Sequence, residues 1–446
     1  MSKKHELIKE NLLHLIAVLE NSRAEFVYHP DSDFTRKRKI SFSDVIQTVL
    51  AFGGRSMPGE LREIFADKSY VPSAQAFYQQ RSKIKPSAFE ALFRAFQPVA
   101  DVKNDFHDYR LLAVDGSKLQ IATNPQDVES YRMPSGGKKG YNQFHINACL
   151  DLDTFSYSDA VVQKLHSANE CSAFVNMVDN YHDSRKTIFI ADRNFASYNN
   201  MAHVQQRGQY FLFRTKDIGQ KGLVDAFDLP SSEAFDKEFK PLTLIRKYDK
   251  SLLSHKNDYH FIARACAFDF LNTATKKNSG LQTFKLHFRI VRFKLDNGSL
   301  ETVLTNLDAL TFPPDVLKRL YCKRWGIECS FRSLKHTIGL VYLHSKIDNL
   351  CLQEIFARLT IFNFAQMILR ATEIHNTVRK KKRKLKYKIC FSAAVQLSKQ
   401  FLLGMIKSHQ LAERLFHALL PVREGKHNNR PLNHHSKMPA FNYRVI

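Results

Sequence analysis

The chain has 446 residues, of which 44% are hydrophobic, and its 67 Lys and Arg residues outnumber its 43 Asp and Glu residues, giving a formal net charge of +24. This length suits about two to four domains, and the hydrophobic fraction excludes an intrinsically disordered protein. The positive charge favours an anionic polymer as the partner, because such a field attracts phosphates without reading their sequence.

Nothing in the sequence predicts export or a membrane span. No run of about 18 apolar residues occurs, and the amphipathic N-terminal stretch is not followed by the small-residue cleavage site of a secretory signal. The seven cysteines are scattered without a C-x-x-C pair, which argues against a disulfide framework and against a zinc site. We therefore expect a cytoplasmic protein with no membrane partner.

Residues 1–105 have the periodicity of several short helices. Serines that can cap these helices stand at Ser41 or Ser43, Ser56 and Ser73. Basic residues accompany the helices at Arg36, Lys37, Arg38, Lys39, Arg81, Lys83 and Lys85. Two interpretations stay open: a helical DNA-binding region, or a helical cap that packs on the next domain.

Strands and helices alternate over residues 106–216. The first strand, YRLLAVDGSKLQIA, contains Asp115, and two further strands flank an acidic turn at Asp151–Asp153. A helix follows, then a buried strand that ends in Asp192, a second helix and a last strand over 209–216. This order predicts an α/β fold in which a mixed sheet carries helices on its faces.

Three further regions complete the predicted organisation. Residues 217–300 break the alternation and contain well-alternating strands and a strong turn signal at Asp296–Ser299, so we expect an inserted antiparallel β subdomain. Residues 301–375 return to the core with a strand and two long helices. Residues 376–446 form a basic C-terminal region, in which the stretch 379–388 holds eight cations.

The first of these long helices is predicted to run unbroken over 313–340. At about 100° per residue, Tyr321, Arg324, Glu328 and Lys335 share an arc of about 60°, beside an apolar stripe. A carboxylate flanked by a phenol and two cations suits a metal held beside a phosphate, with the other polar residues gripping DNA. An amphipathic helix with a solvated charged face is the alternative.

Three carboxylates stand out by context: Asp115, Asp192 and Glu328. Each alone has an ordinary explanation, as part of a turn dipeptide, a helix cap or a surface helix. Together they predict an acidic site in a basic protein, and clustered carboxylates repel one another unless a cation compensates. Oxygen ligands suit Mg²⁺ or Mn²⁺, and two such ions can promote phosphodiester cleavage. We therefore predict all three as catalytic residues and metal ligands for two ions.

The motifs around these residues resemble those of a known family. The spacing Y-x2-R-x3-E-x6-K, from Tyr321 to Lys335, is similar to the Y-R-E-K signature of the insertion-sequence-four family of bacterial DDE transposases. VDGS around Asp115 and ADRNF around Asp192 resemble the two aspartate motifs of that family, in the expected order. The resemblance covers most of the chain.

This resemblance implies a ribonuclease-H-like core, a β insertion, and helical N- and C-terminal regions. It implies a homodimeric, Mg²⁺-dependent, cut-and-paste enzyme of the nucleoid, which binds the terminal inverted repeats of its element, forms hairpins and joins the excised ends to target DNA. Two alternatives remain: a non-enzymatic DNA-binding inhibitor of transposition, and a metal-dependent nuclease without strand transfer. The acidic triad argues against the inhibitor.

The sequence departs from the family pattern at two places. Asn194 stands where the second motif usually has glycine, and we expect the turn to survive because Asn tolerates left-handed backbone angles. The one Trp of the chain is Trp325, which either packs in the core or faces DNA. Some hairpin-forming relatives hold a flipped base with a Trp in the β insertion, a task that would fall here to Tyr259, Phe261, Phe284 or Phe288, or to nothing.

Overall fold

In the computed structural model, the described part of the chain comprises residues 2–36, 38–98, 106–135, 139–246, 251, 258–272, 282–373 and 386–422. Most of the basic stretch 379–388 lies outside these residues, as do Lys37, Gly136, Gly137 and the tail after 422.

The N-terminal region is helical, as the sequence predicts. Its helices are α1 to α6, at Ser2–Asn21, Arg23–Phe26, Phe42–Ala51, Met57–Ile64, Ala74–Arg81 and Pro86–Ala95. Ser41 caps α3 in a capping box with Asp44, and Ser73 caps α5 by accepting from the Ala76 amide. Ser56 precedes α4 but makes no side-chain cap. Polar starts therefore locate these helices correctly.

The first strands confirm the predicted alternation. Strands β1 to β4 lie at Arg110–Ile121, Tyr131–Arg132, Tyr141–Asp151 and Ser156–Lys164. They are followed by helix α7 (Glu170–Asp179), strand β5 (Thr187–Ala191), helix α8 (Tyr198–Gln206) and strand β6 (Tyr210–Thr215). Strand β5 is buried at every position, as expected for a strand with parallel neighbours on both sides.

A nine-stranded mixed sheet forms the centre of the molecule. The next six strands along the chain, β7 to β12, lie at Phe235–Glu238, Leu242–Ile245, Tyr259–Phe261, Thr283–Leu286, Arg289–Lys294 and Leu300–Thr305. The order in the large sheet is β2-β3-β1-β5-β6-β12-β11-β7, with β4 paired to β3. Strand β5 pairs in parallel with β1 and β6, and the other pairs of this sheet are antiparallel. The fold is therefore a mixed α/β fold, as predicted.

Helices cover both faces of this sheet. On one face, Leu112 and Val114 of β1 pack in a core with Phe174 of α7 and Met201 of α8. On the other face, Ala113 packs with the long helix that follows the sheet and with the N-terminal helices. Consecutive residues of β1 thus enter opposite cores, because side chains alternate along a strand.

The segment 217–300 differs from the expected separate antiparallel subdomain. Only β8, β9 and β10 form a sheet of their own, and β8 pairs in parallel with β9. Strands β7 and β11 join the large sheet instead. The predicted turn at Asp296–Ser299 is confirmed, since it connects β11 to β12 with Gly298 at a φ of +84°. Strand periodicity located the strands but did not specify their partners.

The stretch 313–340 is not one helix. It contains α9 (Pro314–Cys322), α10 (Trp325–Arg332) and a π-helical turn at Ser333–Thr337. The break falls at Lys323 and Arg324, where backbone bonds shorten to the i→i−3 type, as from the Arg324 amide to the Tyr321 carbonyl. The prediction of a continuous helix was wrong because the backbone stays in the right-handed region while its hydrogen bonding changes.

The last helices join the two ends of the described chain. Helices α11, α12 and α13 lie at Asp348–Glu373, Phe391–Leu402 and Ser408–His417, and strands β13 (Lys386–Ile389) and β14 (Leu419–Val422) pair with each other. Helix α11 packs against α1, α3 and α6. The N-terminal helices and α11 therefore share one apolar core.

Buried charges reinforce this contact. Arg81 of α5 is 3.1 Å from the Glu354 carboxylate of α11 and also donates to Gln353. His344 contacts the other oxygen of Glu354 at 2.9 Å and lies 3.7 Å from Glu60 of α4. Arg81 was predicted near a DNA-binding surface, but it is buried and pairs within the protein.

Candidate active site

Two neighbouring parallel strands place Asp115 beside Asp192. The register of β1 and β5 ends with Val114 opposite Ala191, and each aspartate is the next residue. Adjacent strands lie about 4.8 Å apart, so the two backbones bring the carboxylates close to each other. Strand β1 continues beyond Asp115, paired with β3, whereas β5 ends and the chain turns at Asp192.

The glycine after Asp115 is a point of close approach. Strand β1 passes straight through Asp115 and Gly116, so this Asp-Gly pair is not a turn. A Cβ at Gly116 would lie 2.4 Å from His145 Nε2, 2.6 Å from Glu170 Oε1 and 3.1 Å from Asn147 Oδ1. Only glycine leaves room for these three polar atoms.

Asp192 begins a short 3-10 helix at Arg193–Phe195. Its carboxylate accepts the Asn194 amide at 2.9 Å. Asn194 does not have a positive φ, so the tolerance of asparagine for left-handed angles is not the reason that this turn survives the loss of glycine. The Asn194 side chain instead donates to Glu170 Oε2 at 3.4 Å.

Arg324 lies between the first and third predicted carboxylates. Its Nη2 donates to Glu328 Oε1 at 2.7 Å, and its Nη1 is 3.9 Å from Asp115 Oδ2. The guanidinium also lies 5.6 Å from the centre of the Tyr321 ring and 5.9 Å from that of Trp325. The helix break at 323–324 therefore places an arginine, and not only Glu328, against the strand that carries Asp115.

The electrostatics show that the three carboxylates share one field. The pKa of Asp115 is raised to about 6: burial is the largest cause, the Gly116 amide and Arg324 oppose it, and the charges of Asp192 and Glu328 act in the same direction as burial. A carboxylate that is desolvated beside two others favours its protonated form. The structure thus brings together residues that are up to 213 positions apart in the chain, from 115 to 328.

The other predicted site residues differ in exposure. Tyr321 and Arg324 are buried, and the Tyr321 hydroxyl has no hydrogen-bond partner among the described residues. Trp325 is 49% exposed, which argues against the predicted alternative in which it packs in the core. Lys335 is half-buried and donates to the Lys118 carbonyl of β1 at 2.8 Å; burial lowers its pKa.

Four titratable residues around this cluster were not predicted from the sequence. Glu170 and His145 form a 3.1 Å pair beside Gly116. Arg214 and Glu301 form a 3.3 Å pair on β6 and β12, and both act electrostatically on Tyr321. Glu170 stands at a helix start, where acidic residues are common, so no sequence signal separates it from an ordinary cap residue.

The chemistry of the acidic cluster fits a divalent cation. All three side chains offer oxygen ligands, and the pKa of Asp115 is raised first by burial and then by repulsion from Asp192 and Glu328, a repulsion that a cation would relieve. Across the described ranges, no group of three or more His, Cys, Asp or Glu residues is arranged so that it could hold a metal ion. Arg324 supplies positive charge between Asp115 and Glu328 here.

The aromatic residues of the insertion separate into two groups. Phe284 and Phe288 are buried in the core, whereas Phe261 is 37% exposed and Tyr259 is half-buried. Only Phe261 and Tyr259 of the four candidates therefore present ring surface to solvent.

One part of the N-terminal region keeps a basic surface. Arg38, Lys39, Tyr70, Gln79 and Gln80 line an open groove, in which the Lys39 ammonium lies 4.5 Å from the centre of the Tyr70 ring. Of the basic residues predicted here, Lys83 lies 3.8 Å from Asp33 and Lys85 donates to the Glu25 carbonyl.

None of the helices in the described ranges is long and apolar enough to cross a membrane.

Comparison with known proteins identifies the central region. The profile of a family described as Transposase DDE domain matches residues 106–364, more than half of the chain. A solved piggyBac transposase synaptic complex with hairpin DNA aligns with 92% of this chain and 81% of its own, at 9% identity and a TM-score of 0.44. That likeness is too weak to carry an argument. A search of the curated proteins finds no significant match.

Proposed function

Since the chain belongs to the Transposase DDE domain family, we propose that it is a DNA transposase, which cleaves phosphodiester bonds at the ends of its element and joins those ends to target DNA. The observation that supports this most is the convergence of Asp115, Asp192 and Glu328, since they come from a strand, a turn and a helix and share one electrostatic field.

The roles proposed for the residues follow from their positions. Asp115, Asp192 and Glu328 hold two Mg²⁺ or Mn²⁺ ions, which when bound would activate the attacking oxygen and stabilise the leaving one. Arg324 neutralises Asp115 and Glu328 in the free protein and binds a DNA phosphate in the complex. Its position between two carboxylates supports both roles, because the guanidinium is fixed where negative charge accumulates.

The remaining contacts to DNA are proposed on exposure for Trp325, on charge for Lys335, and for the buried Tyr321 on a hydroxyl that has no hydrogen-bond partner among the described residues. Trp325 offers half of its ring to solvent beside the acidic cluster, so we propose that it stacks on or packs against DNA. Lys335 and Tyr321 flank the cluster as further phosphate contacts, the first through its ammonium and the second through its hydroxyl. The groove at Lys39 and Tyr70 is a candidate DNA surface of the N-terminal region.

The finer classification is also a proposal. The Y-x2-R-x3-E-x6-K spacing favours the insertion-sequence-four family, and strands β4-β3-β1-β5-β6 with their helices are the proposed ribonuclease-H-like core. We propose residues 1–105 as a DNA-binding region, 106–216 and 301–375 as the two parts of the core, 217–300 as the insertion and 376–446 as the basic C-terminal region. A homodimer on terminal inverted repeats and a hairpin intermediate, with Phe261 or Tyr259 holding a flipped base, complete the proposal.

The test incubates purified protein and Mg²⁺ with DNA that carries the terminal sequences of its element. Wild-type protein should cut the ends and join them to target DNA. Glu328→Gln and Asp115→Asn should bind the same DNA and lose cleavage by at least about 10³-fold, because each removes a charge needed for metal binding. Glu233→Gln, an exposed residue of the insertion, serves as the control and should cleave normally.

The outcomes separate the alternatives. Equal cleavage by wild type and Glu328→Gln would contradict the catalytic assignment. Stable end binding by the wild type without cleavage would favour a non-enzymatic inhibitor of transposition. Cleavage whose 3′ ends never join target DNA would favour a nuclease without strand transfer.

A further inference from the structure

Glu170 and His145 form a polar cluster on the side of the acidic site away from Arg324. Glu170 Oε1 is 3.1 Å from His145 Nε2, and Glu170 Oε2 accepts from the Asn194 side chain. Asn147 Oδ1 and His145 Nε2 are buried atoms with no hydrogen bond among the described residues, and both point at Gly116. The cluster therefore contacts Gly116, which follows Asp115, and Asn194, which lies two residues after Asp192.

The cluster is built from three elements, which are strand β3, helix α7 and the 3-10 turn after Asp192. His145 comes from β3, which pairs with β1 so that Asn147 faces Gly116. Glu170 is the first residue of α7, and the next residue, Cys171, donates to the Asn194 carbonyl at 3.5 Å. The first turn of α7 thus holds the 3-10 turn that begins at Asp192, by two separate contacts.

The charge of Glu170 is kept by its neighbours. The 3.1 Å contact with His145 is the largest cause that lowers the pKa of Glu170, although burial opposes it, and Asn194 and Lys118 act in the same direction as His145. The side chain is 29% exposed and the His145 ring is buried. Glu170 is thus an ionised carboxylate with a fixed position rather than a solvated surface residue.

We propose that Glu170 and His145 are a positioning pair for the acidic site, which sets the distance between Asp115 and Asp192 by holding Asn194 on one side and filling the space over Gly116 on the other. Outer residues that orient metal-binding carboxylates act in this way, and their loss typically weakens metal affinity by about 10–100-fold. The inference rests on the proposed function, because it takes Asp115 and Asp192 as metal ligands.

The experiment measures Mn²⁺ affinity of the full-length, DNA-free protein by electron paramagnetic resonance. Glu170→Ala and Asn194→Ala should each weaken Mn²⁺ binding by about tenfold. Glu170→Gln should lose less, because it keeps the shape of the side chain and an oxygen for Asn194. The Mg²⁺ concentration for half-maximal cleavage should rise in parallel, while DNA affinity stays unchanged. Glu233→Ala is the matched control and should equal wild type.

The results distinguish a failure of the positioning role from a failure of the proposed metal site. Wild-type Mn²⁺ affinity and Mg²⁺ dependence in both Glu170→Ala and Asn194→Ala would overturn the positioning role, even if cleavage were uniformly lower. Because Asn194 is exposed, Asn194→Ala decides the question if Glu170→Ala does not fold. Wild-type Mn²⁺ affinity in Asp192→Asn would instead contradict the proposed metal site itself.

Discussion

Gly116 shows how one residue can serve both a strand and a site. It lies within a continuous strand, where glycine is usually unfavourable because it has no side chain to pack. The polar atoms of His145 and Glu170 occupy the space that its side chain would take. The glycine therefore leaves the space that these two side chains occupy.

At this position we expect Gly116→Ala to lower the melting temperature. Overpacking of this kind typically costs about 1–3 kcal/mol, and differential scanning fluorimetry would measure the shift. Ser117→Ala, on the same strand, is the control. In a Glu170→Ala, His145→Ala background the added methyl group should cost clearly less, because the two closest atoms are gone. An equal cost in both backgrounds would contradict the proposed close approach.

Individual site residues were predictable to different degrees. The proximity of Asp115 and Asp192 follows from two neighbouring parallel strands in register at Val114 and Ala191, although only β5 ends beside its aspartate and β1 continues through Asp115. The contact of Arg324 with Asp115 depends on the helix break at Lys323 and Arg324. Neither of these two positions is a proline or a glycine that would mark the break in the sequence. The pair of Glu170 with His145 depends on strand register and helix placement, which a single sequence does not encode locally.

At the level of elements, the buried network between α4, α5 and α11 fixes the N-terminal helices to the core. Burial alone would raise the pKa of Glu354, but the charge of Arg81 and the hydrogen bond from His344 lower it to about 2. Glu60 has a pKa of about 2 for similar reasons, with His344 as the main partner. The network depends on both carboxylates being ionised.

We expect Glu354→Gln to destabilise the protein by about 3–5 kcal/mol at pH 7, because it leaves the Arg81 charge buried without its partner. The folded pKa lies below the unfolded value of about 4.3, so the stabilisation is present above that pH and is lost as pH falls toward 2. Urea unfolding midpoints of wild type and variant should therefore differ strongly at pH 7 and converge as the pH is lowered through 3.

The surface pair of Arg55 and Glu63 offers a matched control, since Glu63→Gln should change stability by less than about 1 kcal/mol at either pH. A Glu354→Gln effect that is the same at pH 7 and pH 3 would show that packing, and not charge, holds these helices together.

The prediction of elements succeeded where cap and turn residues mark the ends of an element. Capped helices and the hairpin at Gly298 follow from local chemistry. The partners of β7 and β11 do not follow from local chemistry, because the alternation of a strand indicates which face is buried and not which strand lies beside it. The π-helical turn at Ser333–Thr337 keeps helical periodicity, so it is also invisible to pattern analysis.

At the scale of the whole molecule, the net charge of +24 predicts DNA binding that weakens steeply with salt. Lys335→Ala should remove one phosphate contact and therefore reduce the slope of log affinity against log salt by about one unit. Its loss of affinity should be about threefold larger at 50 mM than at 200 mM salt. Filter binding or fluorescence anisotropy on end-sequence DNA would measure this difference, and Lys335→Arg, which keeps the charge, should retain the wild-type slope.

A loss of affinity for Lys335→Ala that is equal at the two salt concentrations would instead assign Lys335 to protein structure, through its bond to the Lys118 carbonyl.

The packing of α11 against α1, α3 and α6 has a consequence for biosynthesis. Helix α6 ends at Ala95 and α11 begins at Asp348, and ribosomes add about 5–20 residues per second, so the N-terminal helices wait on the order of 13–50 s for their partner. During that interval their apolar faces lack the surface that finally covers them, including the partner of the Arg81 charge. The N-terminal helices can therefore complete their core only after α11 has been synthesised. A nascent chain released before α11 leaves that core open to chaperones and proteases.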